Sequence, residues 1–249
     1  MTKPSPTVEF ASLTGAGMVR SHNEDSHATD DLAGFAILAN GMGGHNAGEV
    51  ASELAVAQLS SRLRALDGAM LAPEGLRKLV EQVNAAIYYM ARNRAHCAGM
   101  GAALVAALFR PGTVLVAHVG DARLYRLRGA RFEATTPEAA PLSPNKDLPR
   151  RALGVDASVE VAVAVHATQP HDVYLLCSKG LNDMVGDDAI EQGLRAHPGD
   201  LAAAALDLVG LANRSGGRDN VTVILARVLA EQGEPGVLAR LSGWIGYAP

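Results

Sequence analysis

The sequence lacks several features that mark common functional classes. Only two cysteines, Cys97 and Cys177, occur in the 249 residues, and both lie among apolar or small residues, which favours buried reduced thiols over a disulfide framework. No segment approaches the roughly 20 apolar residues that a membrane-spanning helix needs. The N-terminus, MTKPSPTVEF, has no apolar core of the kind found in signal peptides. We therefore expect a cytoplasmic protein that does not bind membranes.

The sequence also lacks clusters of like charge. The 22 basic and 26 acidic residues give a net charge of −4, and neither sign forms a long run. A protein that binds nucleic acid or a membrane surface usually carries a basic patch or stripe, so the sequence argues against both partners. Hydrophobic residues, in contrast, make up 48% of the chain, which is enough for a substantial core.

Hydrophobic periodicity divides the chain into strands and helices. Two short apolar runs, at 8–13 and 34–39, predict strands, and the apolar residues of 47–66 and of the segment after Pro73 recur at helical spacing. Later segments add further strands and helices, with an irregular loop over 135–147. The later predicted strands are GAALVAALF, TVLVAHVG, ARLYRLR, SVEVAVAVH, DVYLLCS and NVTVILARV, and the later helices cover about 187–196 and 200–213.

This order of elements predicts an α+β protein in which sheet packs on sheet and helices flank both. One domain would cover residues 1–229. A tail or short terminal helix would follow over 230–249, after the Gly-Glu-Pro-Gly break, and it holds the only tryptophan, Trp244.

Short polar segments stand at the ends of predicted strands or in the turns between them. Acidic groups at several strand ends, beside glycines that allow the backbone to come close, are what a cation site with oxygen ligands needs. The segments are VRSHNED (19–25), ANGMGGH (39–45), GDAR (120–123), CSKGL (177–181) and GRDNV (217–221).

Taken together and in this order, these segments resemble the type 2C (PPM) family of metal-dependent protein serine/threonine phosphatases. The similarity runs over about 12–228, nearly the whole chain apart from the tail. It implies a central antiparallel β-sandwich with helices on both outer faces. It also implies a cleft in which a pair of Mg²⁺ or Mn²⁺ ions activates a water against phosphoserine or phosphothreonine.

The resemblance assigns roles to five positions of this chain. Arg20 matches the arginine that holds the substrate phosphate. Glu24 matches a ligand of one metal, and Gly41 lies where a backbone carbonyl of the family binds the same ion. Asp219 matches a ligand of the other metal, and Asp121 matches an acidic position that helps to hold a third ion in some bacterial members.

Two positions depart from the family pattern. Asn40 stands where the family has the aspartate that bridges both metals, and Lys179 stands where it has the aspartate of a Ser-Asp-Gly segment. Two dications about 4 Å apart repel by roughly 16 kcal/mol at an effective dielectric of about 20, and a neutral amide cannot offset this as a bridging carboxylate does. A charged lysine has no lone pair and competes with an ion for its place. We therefore expect Lys179 to pair with Asp219 and to stand in for that metal.

An introduced substitution at Asn40 in an otherwise active protein would explain one of these losses. The second loss, with its reversal of charge at Lys179, argues against it.

These losses lead to one main hypothesis and one alternative. The main hypothesis is a pseudophosphatase with no metal or a weakly bound one, impaired or absent catalysis, and a phosphoprotein or protein-kinase partner in a signalling or secretion complex. The alternative is a divergent but active Mg/Mn-dependent serine/threonine phosphatase. Its reduced metal site would use Glu24 and the Gly41 carbonyl, with Asp25 and Asp121.

Overall fold

The structure, a computed structural model, describes residues 8–42, 47–66, 71–136 and 152–230. The predicted tail, with Trp244, lies outside these ranges apart from Ala230, and most of the predicted 135–147 loop lies outside them as well. No helix among the described residues is long and apolar enough to span a membrane. Cys97 and Cys177 are both buried and unpaired, as the sequence predicts.

Two five-stranded antiparallel sheets form the centre of the molecule. In chain order the strands are β1 (Val8–Gly15), β2 (Asp25–Asp30), β3 (Phe35–Met42), β4 (Gly101–Arg110), β5 (Thr113–Val119), β6 (Arg123–Arg128), β7 (Arg131–Ala134), β8 (Ala162–Ala167), β9 (Val173–Cys177) and β10 (Val221–Val228). One sheet has the order β1-β10-β9-β6-β7, and the other has the order β2-β3-β4-β5-β8.

Helices cover the outer face of each sheet. The second sheet is covered by the two longest helices, and the first by the three that follow β9 in the chain. The helices are α1 (Ala47–Arg64), α2 (Pro73–Asn93), α3 (Lys179–Asn182), α4 (Asp187–Ala196) and α5 (Leu201–Arg214).

The central strands are apolar on both faces because both faces are covered. In β4, Leu104 and Leu108 belong to the core under α1 and α2, whereas Val105 and Phe109 belong to the core between the two sheets. A strand with one solvated face would alternate apolar and polar residues instead. The α+β sandwich with helices on both faces, expected from the sequence, is confirmed by this arrangement.

Two strands, β2 and β7, are not predicted by the sequence pattern. The β2 segment, DSHATD, has no fully buried residue, and β7 has only four residues; both are edge strands. An edge strand is held mainly by its backbone hydrogen bonds to one neighbour, so it needs no apolar pattern. The strand predicted from SVEVAVAVH begins only at Ala162.

A close contact between α3 and the start of β10 brings two of the polar segments together. A Cβ atom added at Gly180 would lie 1.9 Å from the Asn220 carbonyl oxygen. The Ser178 N–H donates to the Thr222 carbonyl at 3.0 Å, and the Thr222 N–H donates to the Ser178 hydroxyl at 2.9 Å. The CSKGL segment can therefore lie this close to the GRDNV segment only because residue 180 is a glycine.

We expect Gly180→Ala to destabilise the protein by about 2 kcal/mol or more, because the new methyl group meets backbone that cannot move without breaking these bonds. Gly15→Ala is the matched control, since nothing lies within 4 Å of a Cβ atom there, and its effect should stay within about 0.5 kcal/mol. Urea unfolding measures both. Equal losses in the two variants would show that the contact at Gly180 is not tight.

Candidate active site

The polar segments meet at one end of the sandwich around the buried amide of Asn220. Its Oδ1 accepts the Glu24 N–H at 2.9 Å. Its Nδ2 donates to the carbonyls of His22 at 2.7 Å and Ala16 at 3.1 Å. This side chain is 4% exposed, so the bonds are shielded from water. They hold the VRSHNED segment against the residue that directly precedes β10.

Glu24 and Gly41 lie side by side at this end. The Gly41 N–H donates to the Glu24 carbonyl at 3.0 Å. The Glu24 carboxylate lies against the first turn of α1, where a Cβ atom on Gly48 would be 2.4 Å from Oε2. Burial raises the pKa of Glu24, Arg20 lowers it, and the charge of Asp219 raises it again. The structure thus brings together the two residues assigned to one ion, and their role as ligands stays a prediction.

Asp25 is opposite Asn40 in the β2–β3 pair and is bonded to it. The Asn40 Nδ2 donates to Asp25 Oδ1 at 2.5 Å, and the Thr222 hydroxyl donates to Oδ2 at 2.6 Å. Burial raises the pKa of Asp25, while the bonds from Thr222, Ser178 and Asn40 lower it. The amide at position 40 thus stabilises a neighbouring carboxylate, a function that an aspartate in its place could not perform while ionised.

The prediction that Lys179 pairs with Asp219 is wrong. The Lys179 Nζ lies 3.8 Å from Asp121 Oδ2 and 3.6 Å from Asp183 Oδ2. Lys179 is the first residue of α3, so its side chain lies beside the residue four positions later on the same helix face. The sequence predicts that position 179 follows the end of a strand rather than beginning a helix, and the expected pairing with Asp219 depends on that boundary.

Asp219 is paired instead with Arg20, whose Nε lies 3.0 Å from Oδ1. The same oxygen accepts the Asn220 N–H at 3.0 Å. The side chains of the pair are 57% and 35% exposed, respectively, and an ion pair so open to water contributes little net stability. The arginine assigned to the substrate phosphate therefore has a carboxylate partner that an incoming anion can displace at small cost.

Asp121 adds a further carboxylate to the same region. Burial raises its pKa, Lys179 lowers it, and the charges of Asp183 and Asp219 raise it. Its Oδ1 is buried and has no hydrogen-bond partner among the described residues. Asp219 also raises the pKa of Asp25. This end of the sandwich therefore carries negative charge that the nearby cations only partly neutralise.

The side chains present do not fit a two-cation site. Among the described residues, no three carboxylate, histidine or cysteine side chains converge as metal ligands. Asn40 gives an amide donor where a bridging carboxylate is needed, and Lys179 places an ammonium beside Asp121. What remains at the Glu24 end is one carboxylate beside the main chain of Gly41, oxygen donors of the type that Mg²⁺ supplements with water.

Two residues with important contacts had no role in the sequence analysis. Asn220 holds the VRSHNED segment, and Thr222 donates to Asp25. For Asn220, the Asp-Asn pair at 219–220 is a signal that the sequence itself contains. Thr222 lies inside an apolar strand, NVTVILARV, where a threonine is an ordinary strand residue; only the packing of β10 beside β2 reveals its contact.

Comparisons with known proteins agree with this fold. The family model Protein phosphatase 2C matches residues 18–190. The serine/threonine phosphatase stp of Listeria monocytogenes is 37% identical in an alignment that covers 88% of this chain and 96% of that protein. The serine/threonine protein phosphatase PstP of Mycobacterium tuberculosis is 36% identical over 92% of this chain and 46% of its own length. This chain belongs to the protein phosphatase 2C family.

Solved structures give the same result. The catalytic domain of PstP in complex with two manganese ions superposes with a TM-score of 0.78 at 34% identity, covering 90% of this chain and 99% of that one. PppA, a key regulatory component of T6SS in Pseudomonas aeruginosa, gives a TM-score of 0.79 at 34% identity over 89% and 98%. The stp and PstP relatives are phosphatases by name, so they give no support to the loss of activity expected from Asn40 and Lys179.

We expect Lys179→Met to destabilise the protein by no more than about 1 kcal/mol, because the ammonium is itself 42% exposed and lies 3.6 Å and 3.8 Å from its two partners. Arg128→Met is the control. Arg128 donates two bonds to Asp172, whose side chain is 1% exposed, and an unpaired buried carboxylate costs about 3 kcal/mol or more. Urea unfolding at neutral pH compares them. A larger loss at Lys179 would mean that this lysine neutralises a buried charge after all.

Proposed function

We propose that the chain is a serine/threonine phosphoprotein phosphatase with a reduced metal site. The observation that carries the proposal is the arrangement of Arg20 beside Asp219 and Glu24 at the open end of the sandwich, a cation for the phosphate among carboxylates whose charge is only partly neutralised. The named activity of the stp and PstP relatives supports it, as do the two manganese ions of the PstP catalytic domain.

The retained residues divide the work of the site. Arg20 binds the phosphate by exchanging Asp219 for the substrate, which matches a planar guanidinium donor with phosphate oxygens. Glu24 and the Gly41 main chain would hold one Mg²⁺ or Mn²⁺, and Asp25 and Asp121 contribute negative charge nearby. A divalent cation supplies a bound water of lowered pKa and charge that offsets the phosphate. The Asn220 amide keeps the Glu24 backbone in register with β10.

A second candidate function is phosphoprotein or protein-kinase binding without hydrolysis. The specific observation in its favour is that the amide of Asn40 and the ammonium of Lys179 stand where two ligand carboxylates would be expected. PppA is described as a key regulatory component of T6SS, and by analogy we propose that the phosphoprotein belongs to a signalling or secretion complex. The two unpaired buried thiols are compatible with a cytoplasmic location, which we include in the proposal.

Hydrolysis should require a divalent cation and Glu24. We expect pure protein to release phosphate from a phosphothreonine peptide with Mn²⁺ but not with chelator. Glu24→Gln should lower the rate by about tenfold or more, since it removes a charged ligand of the activating ion. Glu53→Gln, an exposed change on α1, should leave the rate unchanged. Background release from a peptide that nevertheless binds would reject hydrolysis in favour of the binding function.

Restoring the carboxylates should create a measurable cation site. Asn40→Asp puts an anion within hydrogen-bonding distance of Asp25, so Asn40→Asp with Lys179→Asp should lower the melting temperature in chelator. Mn²⁺ should then raise it, by the equivalent of about 2.7 kcal/mol at a free concentration 100 times Kd. The parent and both single variants should respond less, because residues that share an ion are coupled. No response of the double variant to Mn²⁺ would show that positions 40 and 179 do not share a cation.

A further inference from the structure

Two large apolar side chains are exposed directly before the phosphate-binding arginine. Met18 is 69% exposed and Val19 is 68% exposed. Single exposed apolar residues are common on protein surfaces and need no explanation. An adjoining pair beside Arg20 is different, because it adds apolar surface next to the charge that would hold a phosphate.

This apolar pair is held in place by the fold. The Met18 N–H donates to the Gly217 carbonyl at 2.7 Å. Gly17 has a φ of +77° and comes so close to Asp219 that a Cβ atom there would lie 2.3 Å from its carbonyl oxygen. The segment before Arg20 is therefore fixed against the loop that carries Asp219, and binding a ligand here needs little ordering of the chain.

The apolar surface continues across the glycine turn at 216–217. A Cβ atom on Gly217 would lie 2.6 Å from the Met18 Cγ, so the methionine covers this turn. On the other side, a Cβ atom on Gly216 would lie 3.8 Å from the Sδ of Met184, whose side chain is partly buried against the core beneath α4 and α5. Methionine side chains adapt to partners of different shape. We call this surface the methionine lip; it consists of Met18, Val19 and Met184 around the floor formed by Gly216 and Gly217.

Positive charge lies beside the methionine lip. Arg20 follows Val19 directly, and the exposed Arg218 lies over the same turn, with its Nε 3.8 Å from a Cβ atom on Gly216. A phosphate with no peptide attached would use only the charges. A segment of protein that carries an apolar residue beside its phosphorylated residue would use the charges and the apolar surface together.

We propose that the methionine lip selects phosphorylated protein segments with a large apolar residue close to the phosphoserine or phosphothreonine. This inference rests on the proposed function, because it assumes that Arg20 binds the phosphate. Met18 and Arg20 are two residues apart, at most about 7 Å between Cα atoms. The apolar residue of the partner therefore lies within about two positions of the phosphorylated one.

Peptide binding tests the inference without depending on turnover. The probes are fluorescent peptides that carry a phosphonate analogue of phosphoserine, which cannot be hydrolysed, flanked either by leucine or by alanine, with unmodified serine peptides beside them. Fluorescence anisotropy with Mn²⁺ gives the affinities. We expect the parent protein to bind the leucine-flanked phosphonate about tenfold tighter than the alanine-flanked one, as burial of a few methylene groups implies.

The variant Met18→Ser with Val19→Ser should reduce this preference to about twofold, while its affinity for the alanine-flanked peptide stays within about twofold of the parent. The control Leu206→Ser changes a side chain that is 67% exposed on α5 and should keep the full preference. All of these side chains are exposed, so the melting temperature should be unchanged, and each preparation is checked for this.

The results separate this inference from the proposed function. Loss of preference in the double variant alone supports the methionine lip. It does so even if the phosphothreonine peptide of the hydrolysis test releases no phosphate, in which case only hydrolysis is rejected. Three results would each overturn the inference: an equal affinity of the parent for both phosphonates, a preference that survives Met18→Ser with Val19→Ser, or no binding of any peptide. Release of phosphate without a leucine preference would overturn the lip and leave the phosphatase.

Discussion

The site depends on one buried amide, that of Asn220. Three backbone groups, from Ala16, His22 and Glu24, bond to it. A buried amide that lost these partners would leave several polar groups unsatisfied, at about 1–3 kcal/mol for each. The amide fastens the VRSHNED segment to the start of β10, a strand in the other half of the chain. This attachment positions Arg20, buries Glu24 and keeps Met18 near the glycine turn.

Carboxylates gathered at one end of the sandwich repel one another. Asn40 and Lys179 both reduce this repulsion. Asn40 donates to Asp25, and Lys179 lies between Asp121 and Asp183. Each attracts neighbouring carboxylates, and neither adds negative charge of its own. Under the proposed function, the contacts that reduce this repulsion also weaken the attraction of this end for a cation. Stability without metal and affinity for metal are opposed here by Coulomb's law.

Much of the fold could be predicted from the sequence, whereas the contacts in the site could not. The apolar runs of β3 to β5, the helical spacing of α1 and α2 and the order of five polar segments carry enough information for the sandwich. The strand at 25–30 carries no apolar pattern because it lies at an edge. The partner of Lys179 depended on whether position 179 ends a strand or begins a helix, a difference of one residue in the boundary that changes the direction of the side chain.

With Arg20 in its proposed role of binding the substrate phosphate, its pairing with Asp219 makes that carboxylate an internal competitor of the substrate. Each anion that binds Arg20 must first displace a tethered one, whose effective concentration is high and does not change with dilution. The net affinity for phosphate would therefore be lower than the intrinsic affinity of the guanidinium, by the fraction of molecules in which Arg20 is free. Because the pair is largely exposed, this competition is mild, and a dianionic phosphate on a chain that makes further contacts would overcome it more readily than a small anion such as chloride or acetate.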